Sequence, residues 1–489
     1  MRAPGRSQAR TADAEDRISR VKLPKWATAL DVVAVVMALT AISVAIGGGF
    51  RVWIFDFRLS VTDGWRPALW CLGALALRHA LVRRNPLPQR VVTGLSTWWR
   101  STDRRLVLPI HLSSRLGVLA VGFLAVILVG FPPEAANRWK IYNNEFLDLP
   151  ARWDTGWYLG IATEGYRYDP SLRPDYQQNI AFFPAFPMSM RYLSVMLGRQ
   201  PVWTGVGISL VAFYFGLTYF LRLARSLLRD EDQAVTAVTL LAFYPFAVFF
   251  SAAYTEGLFL VTLLGAVYHF HKDQLWRAAL WGMACGLTRP NGGLLSIVLA
   301  LMALAPLWNT ASRRFVAPPG GWGATIRRLI AAGSPGYGML AFSAFIYQLT
   351  GNPFTWTMQN VAWGRVYRGL DAIVSDRVDF IAANGLYNYA STQTIDFFYL
   401  LAVLLALIAV WPVYRRFGIA FAVFILITIL PPMSAGGLLS MGRVTAVLFP
   451  VFLWLAATIP VQHRQVWIGG FALLQGFVAV MFFTWRPLY

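Results

Sequence analysis

The chain has 489 residues, of which 57% are hydrophobic and 13% charged, and its mean hydropathy is positive. A soluble chain carries about 25% charged residues, and the apolar runs here approach the ~20 residues that a bilayer core demands, so the composition describes a polytopic membrane protein. The formal net charge of +20 is read as Lys and Arg in cytoplasmic loops, not as a nucleic-acid surface, because no basic patch sits on a foldable soluble domain.

Residues 1–26 read as a disordered cytoplasmic N-terminus, too long and too mixed for the n-region of a cleaved signal peptide. Apolar spans then follow at 27–49, 65–82, 108–131, 203–222, 233–252, 256–270, 278–290, 293–308, 328–350, 396–413, 417–432, 443–459 and 466–485. The pair at 278–308 is short and suits a bent hairpin. With the N-terminus inside, the loops at 83–107, 223–232, 271–277, 309–327, 414–416 and 460–465 are all cytoplasmic, and each carries Lys or Arg, as the positive-inside rule requires. That agreement supports about thirteen crossings. The same count places 132–202, the turns at Tyr254–Glu256 and Arg289–Gly292, the segment 351–395 and Ser440–Arg443 outside. The long loop 132–202 balances seven Lys and Arg against seven Asp and Glu, so it is not a misplaced cytoplasmic segment. The unusual polar motifs thus converge on one face.

Within the long loop, Ala151–Arg191 is too polar and too broken by proline to cross a bilayer. Asp154, next to Arg152 and between Trp153 and Trp157, suits a general base for a sugar or alcohol hydroxyl; it equally suits the N-cap of the helix that follows. Glu164 is a second candidate acid, or the last residue before a Gly165 C-cap. Tyr166, Gln178 and Asn179 lie in an aromatic, polar stretch fit for carbohydrate, although aromatics also belong at any membrane interface. Glu256, beside Tyr254 at the membrane end of two apolar runs, faces either a cavity or the macrodipole at its own helix start. Arg289, followed by Pro290 and Asn291, is an external arginine that needs a partner, either Glu256 or a phosphate; Arg443 repeats the pattern. Two such arginines near a helix N-terminus form a candidate pocket for a lipid phosphate, with an internal salt bridge as the alternative.

No P-loop, zincin histidine pair, GxSxG elbow or Rossmann fingerprint is present. The two cysteines, Cys71 and Cys285, lie in apolar runs and the five histidines do not cluster, so neither a disulfide framework nor a histidine-built metal site is expected. An enzyme working on this face would draw an energy-rich substrate from lipid.

Arg152-Trp153-Asp154, Trp157-Tyr158, Gly165-Tyr166, Phe182–Pro187, Phe249–Glu256, Leu287–Gly292 and Ser440–Pro450, in that order, resemble the PIG-V family, the GPI mannosyltransferase II enzymes and their bacterial relatives. The resemblance covers about 108–459. It implies an all-α, GT-C-type membrane glycosyltransferase of 12–13 helices with short interfacial helices in its first large external loop. It also implies inverting transfer of mannose from a polyprenyl-phosphate donor to a glycolipid or glycan acceptor, with Asp154 as base and Arg152, Arg289 and Arg443 near the donor phosphate. Trp153, Trp157, Tyr166, Gln178, Asn179, Tyr254, Glu256 and Asn291 would line the substrate site, and neither metal nor other cofactor is expected. The hairpin and basic loop at 27–107 precede the part matched to the family, 460–489 forms a last helix, and Val444 stands where the family often has an aromatic. The Ala-, Arg- and Gly-rich composition suggests a bacterial plasma membrane. Two other readings fit less of the sequence: a GT-C enzyme for another sugar, and a lipid or glycan transporter, whose internal repeats are not seen.

Overall fold

The structure is a computed structural model that describes residues 24–47, 50–54, 57–83, 86–135, 138–173, 175–198, 200–309, 314–317, 320–486 and 488. The disordered N-terminus expected for 1–26 lies almost wholly outside the described residues. The chain forms two compact units, one of residues 1–104 with 192–200 and the other of 105–191 with 201–489.

In the first unit, helix Lys25–Gly47 is followed by an antiparallel hairpin in which Phe50–Ile54 pairs with Phe57–Val61, Phe50 opposite Val61. Helix Trp65–Leu81 comes next, then helix Leu87–Arg100, whose first turn holds Pro88 where no intrahelical N–H is needed. The basic loop read from the sequence therefore contains a helix of its own. Asp31 is buried in the first helix and receives Arg78 Nε at 3.1 Å and a guanidinium nitrogen of Arg90. A carboxylate inside an apolar helix persists when it is paired in this way.

The second unit is a helical bundle. Among the described residues six helices are long and apolar enough to cross a membrane: Thr102–Leu128, Pro201–Leu227, Pro290–Leu307, Thr394–Phe417, Ile419–Gly436 and Val461–Phe483; the count is eight if each of two bent pairs is one span. The protein is an integral, multi-pass, essentially all-α membrane protein. The hydropathy count of about thirteen is larger because it also takes in apolar segments that the chain folds as short helices, such as Phe449–Thr458. Leu116, Leu124 and Leu128 point outward from helix Thr102–Leu128, as a lipid-facing surface requires. Two hairpins, the one above and Trp308–Asn309 paired with Arg314–Phe315, are additions that the apolar periodicity did not announce.

The span expected at 233–252 is broken. Helix Glu231–Ala242 turns by 74° into the 3-10 helix Pro245–Ser251, because Pro245 has no N–H and its ring clashes with a continuing helix. The carbonyls released at the break are met by side chains from two other helices. Gln475 Nε2 donates to the carbonyls of Ala242 and Tyr244 at 3.1 and 2.8 Å, and Arg115 donates to those of Ala242 and Ala247 and to Ser251 Oγ. A broken helix at membrane depth survives only with such substitutes.

The first large loop carries the short helices Pro133–Ala135, Thr155–Glu164, Asn179–Ala181 and Ala185–Met196. Two apolar clusters seat it. Tyr158, Phe186 and Met190 pack with Val206 and Ala253, while Ile180 and Phe183 pack with Phe342, Ile346 and Trp356.

Candidate active site

The site grows out of a backbone distortion. Trp153 has φ +49°, a left-handed conformation that side chains other than glycine rarely adopt, and its ring packs on Trp485 with centroids 4.8 Å apart. The turn it makes delivers Asp154 to the start of helix Thr155–Glu164 with helical dihedrals already in place. The Asp154 carboxylate does not cap that helix. Its backbone N–H donates to the hydroxyl of Tyr254 at 3.1 Å, and its Oδ2 accepts from Arg443 Nη1 at 2.5 Å.

Arg443 is held by a second left-handed residue, Ser440 at φ +61°, which opens helix Met441–Thr445. Gly442 lets that helix lie on Phe246: a Cβ there would fall 2.3 Å from the ring. The Arg443 guanidinium sits over the faces of Tyr254 and Phe249, 4.8 and 5.3 Å from their centroids, and its Nε donates to Glu256 Oε1 at 2.8 Å. Arg289 Nη1 donates to the same oxygen at 2.6 Å. The partner left open for Arg289 in the sequence is therefore Glu256, and one buried carboxylate oxygen joins two arginines from distant parts of the chain. Gly257 sets its depth, since a Cβ at that position would lie 2.5 Å from the Ser209 carbonyl of the neighbouring helix.

Exposure separates the two acids. The Glu256 side chain is 0% exposed and that of Asp154 25%. Glu256 also opens helix Glu256–His271, so the helix-start reading describes it, and its buried carboxylate faces Arg289 and Arg443. Only Asp154 presents its carboxylate to the outside. Ala185 N–H donates to the carbonyl of Leu287 at 3.0 Å, which docks the Phe182–Pro187 motif against the Leu287–Gly292 motif.

The other sequence candidates are spread around this cluster rather than in it. Arg152 is buried and donates to the carbonyls of Phe483, Asp148 and Ala151; burial pulls its pKa down to about 10. Trp157 stacks on Phe182 and meets Trp363 edge-on. Tyr166 donates its hydroxyl to the Phe182 carbonyl at 2.7 Å. Gln178 and Asn179 tie the loop to itself, through the backbone of Asp169 for the first and of Arg167 and Gly165 for the second. Glu164 is exposed at the helix end and pairs with Arg167 at 3.1 Å, away from Asp154. Asn291 follows Arg289 in the short helix Pro290–Gly293. Among the described residues no group of three or more His, Cys, Asp or Glu is placed to hold a metal.

One residue at the site escaped the sequence reading. Arg365, in the segment after Gly351, lies within electrostatic reach of Arg443, Arg289 and Asp154, and burial together with the first two guanidinium groups lowers its pKa to about 10. The signal that singled out Arg289, an arginine outside the loops read as cytoplasmic, applies to Arg365 too.

Residues 123–307 match the family described as Mannosyltransferase (PIG-V). Across those residues the chain is similar to PIG-V mannosyltransferases. Similar curated proteins include GPI alpha-1,6-mannosyltransferase 2 of Cricetulus griseus, 29% identical over 231 residues, which are 42% of this chain and 44% of that protein. GPI alpha-1,6-mannosyltransferase 2 of Homo sapiens is 26% identical over 217 residues, 40% of this chain and 42% of the relative. GPI mannosyltransferase 2 of Drosophila pseudoobscura pseudoobscura is 30% identical over 168 residues, 31% and 35% respectively. The chain spans less than half the length of these relatives. The PIG-V match contains Asp154, Glu256 and Arg289, whereas Arg365 and Arg443 come from beyond it.

Proposed function

We propose that this protein is a membrane mannosyltransferase that moves mannose from a polyprenyl-phosphate donor to a lipid-linked glycan or another cell-envelope acceptor, at the extracytoplasmic face and with inversion. The observation that carries the reading is the pairing of a partly exposed carboxylate, Asp154, with an arginine cluster built on a fully buried one, Glu256. The match to PIG-V mannosyltransferases supports the sugar, and the phosphate of a lipid donor suits the guanidinium groups.

Arg443 holds Asp154 Oδ2; among the described residues nothing donates to Oδ1, which is the oxygen left to accept the acceptor's hydroxyl proton. The acceptor oxygen attacks the anomeric carbon from the side opposite the phosphate. The bond from that carbon to the phosphate oxygen breaks, its electron pair stays with the polyprenyl phosphate, and the proton ends on Asp154. Arg289 and Arg443 stabilise the charge gathering on the leaving phosphate.

The test is transfer of label from polyprenyl-phosphate mannose in membranes holding wild type or Asp154→Asn at equal expression. Loss of a general base lowers the rate by about 10²–10⁴-fold. Equal activity in the two proteins would remove Asp154 from the mechanism. Absence of transfer in wild type, with acceptor-containing membranes supplied, would count against mannose as the sugar and favour transport or another glycosyl donor.

A further inference from the structure

Three arginines and two carboxylates share this site, so it carries one unbalanced positive charge. Arg443 faces Asp154 and Glu256, and Arg289 faces Glu256. Arg365 is the remaining cation: among the described residues its guanidinium has no hydrogen-bond or ion-pair partner, although it is half-buried and two other arginines act on it. A cation placed beside like charges is disfavoured unless an anion joins them.

The segment that carries Arg365 is fastened on both sides. Gln177 Nε2 donates to the Ala362 carbonyl at 3.3 Å, Gln359 Oε1 accepts from the Gln178 backbone at 3.2 Å, and Trp363 packs edge-on against Trp157 and Phe182. Beyond Arg365, Arg368 N–H donates to the Ser434 carbonyl at 3.1 Å. The Arg365 side chain itself runs along Gly436, where a Cβ would lie 3.3 Å from its Cγ and 3.6 Å from Nη1. The guanidinium is thus positioned by the fold, in a strap that runs from the first external loop to the end of helix Ile419–Gly436.

We propose that Arg365 is the principal contact for the phosphate of the lipid substrate, held ready by this strap. The assignment rests on the glycosyl-transfer reading and explains a feature that reading leaves open, because Arg289 and Arg443 are already engaged by carboxylates. It also balances charge along the reaction. A polyprenyl-phosphate sugar is a phosphodiester with one negative charge, which the unbalanced guanidinium neutralises. When the sugar leaves, the lipid phosphate becomes a monoester with a second negative charge developing. At the same step Asp154 gains the acceptor's proton and loses its own negative charge, so the site gains one positive charge as the phosphate gains one negative.

The full-length protein in nanodiscs is tested by thermal shift with polyprenyl phosphate and, in parallel, by mannose transfer. Removing one charged hydrogen-bonding partner weakens binding by roughly 10- to 100-fold. Arg365→Gln is expected to weaken polyprenyl phosphate binding and raise the donor KM by that factor, with an unliganded Tm equal to wild type. Arg365→Lys recovers part of the binding. If wild type transfers mannose and Arg365→Gln binds lipid phosphate equally well, the assignment fails while the transfer reading stands. If inorganic phosphate alone gives the same shift at similar concentration, the site is one for free phosphate and the lipid assignment fails. If wild type neither binds polyprenyl phosphate nor transfers mannose, both fail.

Discussion

Replacing Glu256 by glutamine would leave Arg289 and Arg443 against a neutral amide in a fully buried position. Breaking a buried ion pair from one side costs about 3–5 kcal/mol, so Glu256→Gln should lower the unfolding midpoint sharply, measured by thermal denaturation in detergent. Asp154→Asn should leave the midpoint near wild type, since its side chain is a quarter exposed. A Glu256→Gln protein as stable as wild type would remove the buried carboxylate from its structural role. The sequence exposed this cluster because polar residues in apolar surroundings stand out, and Asp154, Glu256, Arg289 and Arg443 all do. It could not separate them from Arg152, Gln178 and Asn179, whose partners are backbone groups brought near only by folding. Arg365 was hidden for the opposite reason: it sits among ordinary loop arginines, one of which, Arg377, is paired with Asp396.

At the scale of the element, the break before Pro245 depends on two long polar side chains reaching in from other helices. Gln475→Leu removes one donor from each of the Ala242 and Tyr244 carbonyls, which keep Arg115 and the Ala247 N–H respectively, so it costs about 0.5–1.5 kcal/mol for each hydrogen bond lost. Arg115→Leu removes donors to Ala242, Ala247 and Ser251 and should cost at least as much. Both losses can be read from unfolding midpoints in mixed micelles, and a pair of neutral substitutions would mean that the break is satisfied by other means. Apolar periodicity located most of these helices, and Pro245 marked the interruption. What it did not show is that the chain bends by 74° there, because the direction of a bend is set by the helices packed around it. The two hairpins were missed because each is a few residues between apolar runs.

For the whole molecule, the arginine distribution predicts one orientation, with the N-terminus and the arginine-bearing loops inside. In a variant with Cys71 and Cys285 replaced, Tyr176→Cys in the exposed external loop should react with an impermeant maleimide added to intact cells, and Arg229→Cys should react only after permeabilisation. The reverse pattern would overturn the orientation and move the site to the cytoplasm. Loop charge alone predicted that the polar motifs share a face, and the structure brings Asp154, Glu256, Arg289 and Arg443 together. The hairpin and basic loop at 27–107 fall almost wholly in the first of the two units.

Asp154 and Arg443 are 289 positions apart in the chain, Glu256 and Arg443 are 187 apart, and Glu256 and Arg289 only 33. During synthesis the ribosome therefore supplies the first escort for the buried acid soon after the acid itself, while the arginine that links both acids arrives near the end. Arg289 can accompany Glu256 into the membrane as a nascent pair. The cluster of both acids with both arginines closes only when the helices around Arg443 are in place, so an unfinished chain holds Glu256 with Arg289 but leaves Asp154 without its arginine.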